Sequence, residues 1–164
     1  MIITAPHVRV AAEALGGRER DTLRLLWEGR RWTRRRVTTS AGREVALALP
    51  TGSVLRPGDV VWVDAAWYLA VEAAPEPVLA VTPRGRTEAI RVAFEVGNRH
   101  FTLALDGEDI LVPDDTAMVQ LLTRLGAPWR RREAVFDPVG AGHRHPPGQS
   151  PVDGHRHAPD HVHG

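Results

Sequence analysis

The chain has 164 residues, with 21 basic against 20 acidic side chains, eight histidines and no cysteine. A hydrophobic share of 43% beside 25% charged residues is a composition that folds, which excludes a disordered tether for most of the length. Having no thiol excludes disulfides, thiolate zinc sites and iron–sulfur clusters, so any metal must be held by imidazole or carboxylate. All the basic residues are arginine, which also removes lysine Schiff-base chemistry. No run approaches the roughly 20 apolar residues of a membrane span. Residues 1–10 also lack the basic-then-apolar layout of a secretory signal, so a cytoplasmic protein with no membrane partner is expected.

The first half reads as short strands joined by turns. Asp21 to Arg30 has Leu23, Leu26 and Trp27 at helix-like spacing but is too short to decide its state. Val37 to Thr39 and Glu44 to Leu49 are extended runs around Ser40-Ala41-Gly42-Arg43, a hairpin. Pro50-Thr51-Gly52 and Arg56-Pro57-Gly58-Asp59 turn the chain before the strand Val60 to Val63. Strands Tyr68 to Ala73 and Val78 to Thr82 follow, separated by a turn at residues 74–77. Short strands at this spacing predict a small all-β barrel or sandwich over residues 1–84.

Beyond Pro83-Arg84-Gly85 the periodicity changes. Ala89, Ile90, Ala93, Phe94 and Val96 recur at the helical period, with Thr87 as N-cap and Gly97-Asn98 as the stop. His100 to Leu105 and Ile110 to Val112 form two strands around Asp106-Gly107-Glu108-Asp109. Pro113-Asp114-Asp115 opens a second helix, whose Met118, Val119, Leu121, Leu122 and Leu125 make an apolar stripe that Gly126 stops. Arg131 to Phe136 supplies a last strand. With the strand near residue 80 this order predicts a ferredoxin-like βαββαβ unit, placed at residues 85–142, and an α+β chain overall. Two halves this small are marginal alone, so dimerisation is expected.

Histidine is unevenly spread. Only His7 and His100 fall within residues 1–142, whereas the last 22 residues hold His143, His145, His155, His157, His161 and His163 as three His-x-His pairs. That tail, residues 143–164, is rich in proline and glycine and predicts disorder. Neutral imidazoles two apart on a flexible segment close on nickel, zinc or copper without straining a scaffold, with pH-sensitive affinity and ready release. His100 stands alone after a helix stop, and one imidazole does not make a metal site. If the chain forms a two-fold dimer with this position near the axis, symmetry supplies a second copy, and tail histidines would then be available for the remaining positions.

Gly97-Asn98-Arg99-His100, Leu111-Val112-Pro113-Asp114, Met118 with Leu121-Leu122 and Leu125-Gly126, and Phe136-Asp137-Pro138 before a histidine tail resemble the UreE family of urease accessory proteins. Arg35 to Thr39 with Gly42-Arg43, Leu49-Pro50 with Gly52, Leu55 with Gly58-Asp59, and Ala73 to Glu76 extend the likeness into the first half. The resemblance implies a cytoplasmic, homodimeric, non-enzymatic nickel metallochaperone. In it, His100 from two protomers binds one Ni2+ as cargo, zinc or copper being alternatives. It implies that the six tail histidines add ligands or capacity. It further implies that the first domain is a peptide- or partner-binding module, and that the partners are the urease apoprotein complex and the urease accessory GTPase. Asp114, Asp115 and Thr116 stand where some members carry a further histidine pair, which implies that this secondary site is absent.

Two other constellations compete. Arg30, Arg31, Arg34, Arg35 and Arg36 bracket Trp32, a pattern suited to nucleic-acid phosphates, although the balanced charge favours a solvated face or a docking surface for an acidic protein. Asp106, Glu108, Asp109, Asp114 and Asp115 suit acid–base work or a hard-metal site, but turns and helix capping explain them more simply. No phosphate loop or nucleophile elbow appears, and no catalytic or cofactor-binding residue is assigned. The alternatives to a nickel carrier are therefore a nucleic-acid module using residues 30–36 and a general nickel or zinc buffer without a dedicated client.

Overall fold

Turn chemistry organises the first half. A computed structural model describes residues 1–140 of the chain. Strands β1 (Ile2–Ile3), β2 (Glu19–Leu25), β3 (Arg34–Thr38), β4 (Glu44–Ala48), β5 (Val60–Val63) and β6 (Trp67–Ala73) build it, with a short helix α1 (Trp27–Arg30) after β2. The hairpin between β3 and β4 closes where expected: Thr39 N–H donates to the Arg43 carbonyl at 2.9 Å. Gly42 sits there at φ 80°, a conformation that costs a residue with a Cβ about 1 kcal/mol. The strands form two three-stranded sheets, β1-β4-β3 and β2-β6-β5. Their inner faces share one core around Leu23, Val45, Leu47, Leu55, Leu69 and Val71, so the first half is a β-sandwich. The segment left open by its spacing, residues 21–30, resolves into the end of β2 and α1.

One carboxylate latches the two sheets. Asp21 on β2 is buried and accepts the Thr39 hydroxyl at 2.6 Å, Arg43 Nη1 at 2.8 Å, and the N–H groups of Thr22 (2.7 Å) and Ala41 (3.0 Å). Burial alone would raise its pKa, but these donors outweigh burial and hold it below the ordinary aspartate value. A depressed carboxylate contributes stability above its unfolded-state pKa and loses it as the pH falls through the folded one. Wild-type protein should therefore lose stability steeply below about pH 4, and Asp21→Asn, less stable at neutral pH, should show a flatter acid limb in urea titrations. Parallel slopes for the two proteins would show that Asp21 does not drive the acid limb.

The second half starts earlier than its helix periodicity suggests. Strand β7 (Pro75–Val81) takes in residues 75–77 of the predicted turn and pairs antiparallel with β10 (Trp129–Val135) along its whole length. Prolines are tolerated because β9 (Asp109–Pro113) joins the other side of β7 only from Val78 onward, leaving Pro75 and Pro77 paired on one side. With β8 (Ala104–Asp106) the sheet has the order β10-β7-β9-β8, antiparallel throughout. Helices α2 (Arg86–Asn98) and α3 (Thr116–Leu125) share with it a core of Leu79, Val81, Val92, Val96, Met118 and Leu122. Helix α3 is capped as its sequence predicts: Asp115 accepts the Ala117 N–H, and Gly126 ends it in the left-handed region. Helix α2 instead begins at Arg86 after Gly85, without a side-chain cap, so Thr87 lies inside its first turn.

The opposite face of this sheet carries Val78, Ala80, Ala104, Leu111, Ala134 and Phe136, and Trp27 of the first half packs against it. The seam is also polar. Trp27 N–H donates to Glu76 Oε1 at 2.7 Å, and fully buried Arg30 donates to the Phe136 carbonyl and, at 2.7 Å, to Asp137 Oδ1. Among the described residues, no helix is long and apolar enough to cross a membrane.

Candidate metal centre

The end of α2 sets the position of His100. Arg99 closes the helix, His100 N–H donates to the Gly97 carbonyl at 2.9 Å, and Phe101 N–H reaches the Val96 carbonyl at 3.3 Å. This is a Schellman closure with His100 in its left-handed position, at φ 58°. Among the described residues, His100 is the one non-glycine residue with positive φ. Glycine would fill that position at about 1 kcal/mol less strain. The strand predicted from His100 onward begins only at Ala104, because residue 100 is turned into the helix stop.

The imidazole is exposed, and the carbonyl end of α2 behind it favours a cation. Arg99 does not compete for that place, since its guanidinium folds back onto Glu95, with 2.8 Å to the carboxylate and 2.9 Å to the carbonyl. The predicted apolar stripe of α2 divides between two environments. Val96 and the unpredicted Val92 are buried, but Ile90 and Phe94 are 58% and 65% exposed. An outward isoleucine and phenylalanine one turn apart, on the helix that ends at His100, form an apolar patch without a partner among the described residues.

The described chain ends close by. Val139 N–H donates to the Leu103 carbonyl at 2.8 Å, three residues from His100. His143, His145, His155, His157, His161 and His163 lie outside the described residues. No group of three or more metal-ligating side chains occurs among the described residues, so a single protomer's folded part does not assemble a metal shell. His7 is remote, lining a groove of the first half with Arg9 and Asp59.

The competing constellations are accounted for structurally. Asp109 accepts the Thr82 hydroxyl and Arg130 Nη2, each at 2.6 Å; the Thr82 bond, with the neighbouring arginines, holds it ionised against the effect of burial. Asp106 pairs with Arg132 at 2.5 Å, Asp114 with Arg131 at 3.0 Å, and Asp115 caps α3. Asp115 bears out the capping reading, whereas Asp106, Asp109 and Asp114 are engaged by arginines of β10, contacts that their turn positions do not announce. The basic segment does not form one patch: Arg30 is fully buried in the seam, while Arg31, Arg34, Arg35 and Arg36 are exposed. Sequence reasoning missed the seam role of Arg30, which pairs with a residue 107 positions away and has no local signature.

Two family models cover nearly all of the chain: the N-terminal domain of the UreE urease accessory protein over residues 4–74, and its C-terminal domain over residues 76–163. A urease accessory protein UreE of Burkholderia mallei (strain SAVP1) is 38% identical over 145 residues, covering 86% of this chain and 70% of the relative. That of Burkholderia thailandensis is 39% identical over 145 residues (86% and 67%), and that of Paraburkholderia xenovorans is 35% identical over 147 residues (87% and 64%). The junction between the two family models falls at the Ala73-Ala74-Pro75 step, where the chain leaves the sandwich for the second sheet. On both halves together, this chain belongs to the UreE family of urease accessory proteins, which serve urease maturation and are not enzymes.

Proposed function

We propose that this protein is a homodimeric nickel carrier of the cytoplasm that donates Ni2+ to the urease active site during its maturation. The observation that carries this reading is the placement of His100: exposed, at the negative end of α2, in a strained position, on the helix that also presents Ile90 and Phe94. A two-fold axis against that helix would cover the apolar patch and bring two His100 side chains to one ion. Two imidazoles leave the nickel shell unsaturated and therefore exchangeable. His143 and His145 follow Val139 within at most about 20 Å of chain, so either can reach the ion, and the four later histidines add capacity. Release is ligand exchange to an acceptor, the urease apoprotein or the accessory GTPase, and falling pH favours it because only neutral imidazole ligates. Zinc and copper suit the same donors, so they compete for the site.

The domain division that fits this reading is a partner-binding sandwich, a metal-binding and dimerisation unit, and the histidine tail from residue 143. We place the first junction at Ala74-Pro75 rather than at residue 84, because β7 is hydrogen-bonded into the second sheet. The ferredoxin-like reading of the second unit is supported by its sheet order, in which the first and third strands of the unit are central and its second and fourth are at the edges. Nucleic-acid binding loses support from the burial of Arg30.

Deleting residues 143–164 should lower the number of nickel ions per chain and leave one ion shared by two chains, whereas Phe94→Asp should yield monomers that lack the shared ion. Calorimetry with sedimentation velocity reads both. A monomeric Phe94→Asp variant with undiminished nickel affinity would overturn the shared site. Equal preference for zinc in competition, with no transfer to apo-urease, would favour a general metal buffer.

A further inference from the structure

Strand β3 is a terminal strand of its sheet, and its outer edge pairs with no strand among the described residues. Such an edge accepts an added strand unless something blocks it. Arg31, Arg34, Arg35 and Arg36 are all exposed on or just before it, and among the described residues none of the four enters an ion pair. Arginines without an ion pair also stand elsewhere among the described residues, Arg20 and Arg124 for example; what sets this edge apart is that four of them fall within residues 31–36. Glu28 lines a groove with Arg31, and Glu44 stands opposite Thr38 on β4; both dilute the positive field of this edge.

The surroundings favour a peptide over a nucleic acid. The Arg35 guanidinium lies 3.8 Å from the centre of the Trp32 ring, and Trp32 packs on the sandwich core, so the indole is not a free stacking platform for a base. Beside it runs a groove of about 480 Å³ lined by Glu28, Arg31, Trp32, Thr51, Ser53 and Val54, wide enough for side chains of an extended segment. Arg34 and Arg36 lie on the outer face of the sheet, beside Ala48 and Ala46 of β4.

We propose that the outer edge of β3, with Arg31, Arg34, Arg35 and Arg36, is a docking surface that takes an extended, acidic segment of a partner protein as an added strand. Backbone pairing supplies position, and the guanidinium forks select carboxylates. The proposal rests on the reading of the first half as a partner-binding sandwich and not on nickel. Its failure and the failure of the metal reading are separately visible, because this edge belongs to the sandwich and His100 to the other half.

The test is fluorescence anisotropy on the full chain at about pH 8, where imidazoles are neutral. The probes are a short labelled peptide of alternating Glu and Val, the same peptide N-methylated at alternate amides, and a single-stranded oligonucleotide of equal charge. Binding of the unmethylated peptide that weakens with salt is expected. So is a loss of about tenfold or more in Arg34→Glu/Arg36→Glu, with little change in the charge-matched control Arg20→Glu/Arg124→Glu. Circular dichroism and nickel calorimetry on the double variant should match wild type. Tighter binding of the oligonucleotide, equal binding of the N-methylated peptide, or an equal loss in the control pair would each overturn the proposal. No binding of any probe would also overturn it, and would mark these arginines as guards that keep the edge from pairing.

Discussion

Replacing His100 by glycine should abolish the proposed shared nickel site while leaving the fold as stable as before, or more stable by about 1 kcal/mol. The two effects separate because the position has two demands. The backbone at φ 58° favours glycine, whereas the proposed metal role requires an imidazole. His100→Ala keeps a Cβ in the left-handed position and should show the same loss of nickel with stability near wild type. Under the proposed reading both variants remove two ligands from one ion. The affinity loss should therefore exceed the roughly 10- to 100-fold that even outer-sphere partners of a metal site carry. Calorimetry on the full chain, beside thermal melts, reads both quantities. Retained high-affinity binding in either variant would transfer the ion to the tail histidines alone.

Replacing Arg30 by alanine should be the most damaging single change to the described fold. Its guanidinium is fully buried, stacks 5.1 Å from the centre of the Trp27 ring, and joins the sandwich to the Phe136 carbonyl and Asp137. Truncation leaves a cavity and an unpaired buried carbonyl, a combination worth about 3 kcal/mol or more. Asp137 adds little to that cost, since its side chain is 56% exposed and water can take over. Lysine should rescue poorly, because a single ammonium cannot span both acceptors with the geometry of a planar fork. The signature should be early protease cleavage near the Ala74-Pro75 junction together with a lower melting temperature. An unchanged melt with intact protease resistance would show that the apolar contacts of Trp27 alone hold the halves together.

Local signals in the sequence located most elements, and tertiary signals located the rest. Helix α3 and the β3–β4 hairpin were legible because caps and turn residues act within a few positions: Asp115 and Gly126 for one, Gly42 for the other. Helix α2 was legible as a helix, but its inward face was not, since apolar residues lie on two sides and periodicity does not say which side the sheet covers. Val92 went inward while Ile90 and Phe94 stayed out. The start of β7 was hidden by two prolines that read as a turn, although one-sided pairing with β10 accommodates them. His100 stood out in the sequence as a lone histidine after a helix stop. Its left-handed backbone did not, because that follows from the closing hydrogen bonds of Gly97 and Val96.

The tie between Val139 and Leu103 anchors the root of the tail a few residues from His100. If His100 holds nickel as proposed, such a short leash would present a tail imidazole to that ion at an effective concentration in roughly the millimolar range. An imidazole that lets go of nickel would then rebind before a free competitor arrives from solution. Dilute chelators would take the metal slowly, whereas an acceptor already docked on the carrier would compete at comparable local concentration, so hand-over would be faster within a complex than through free ions.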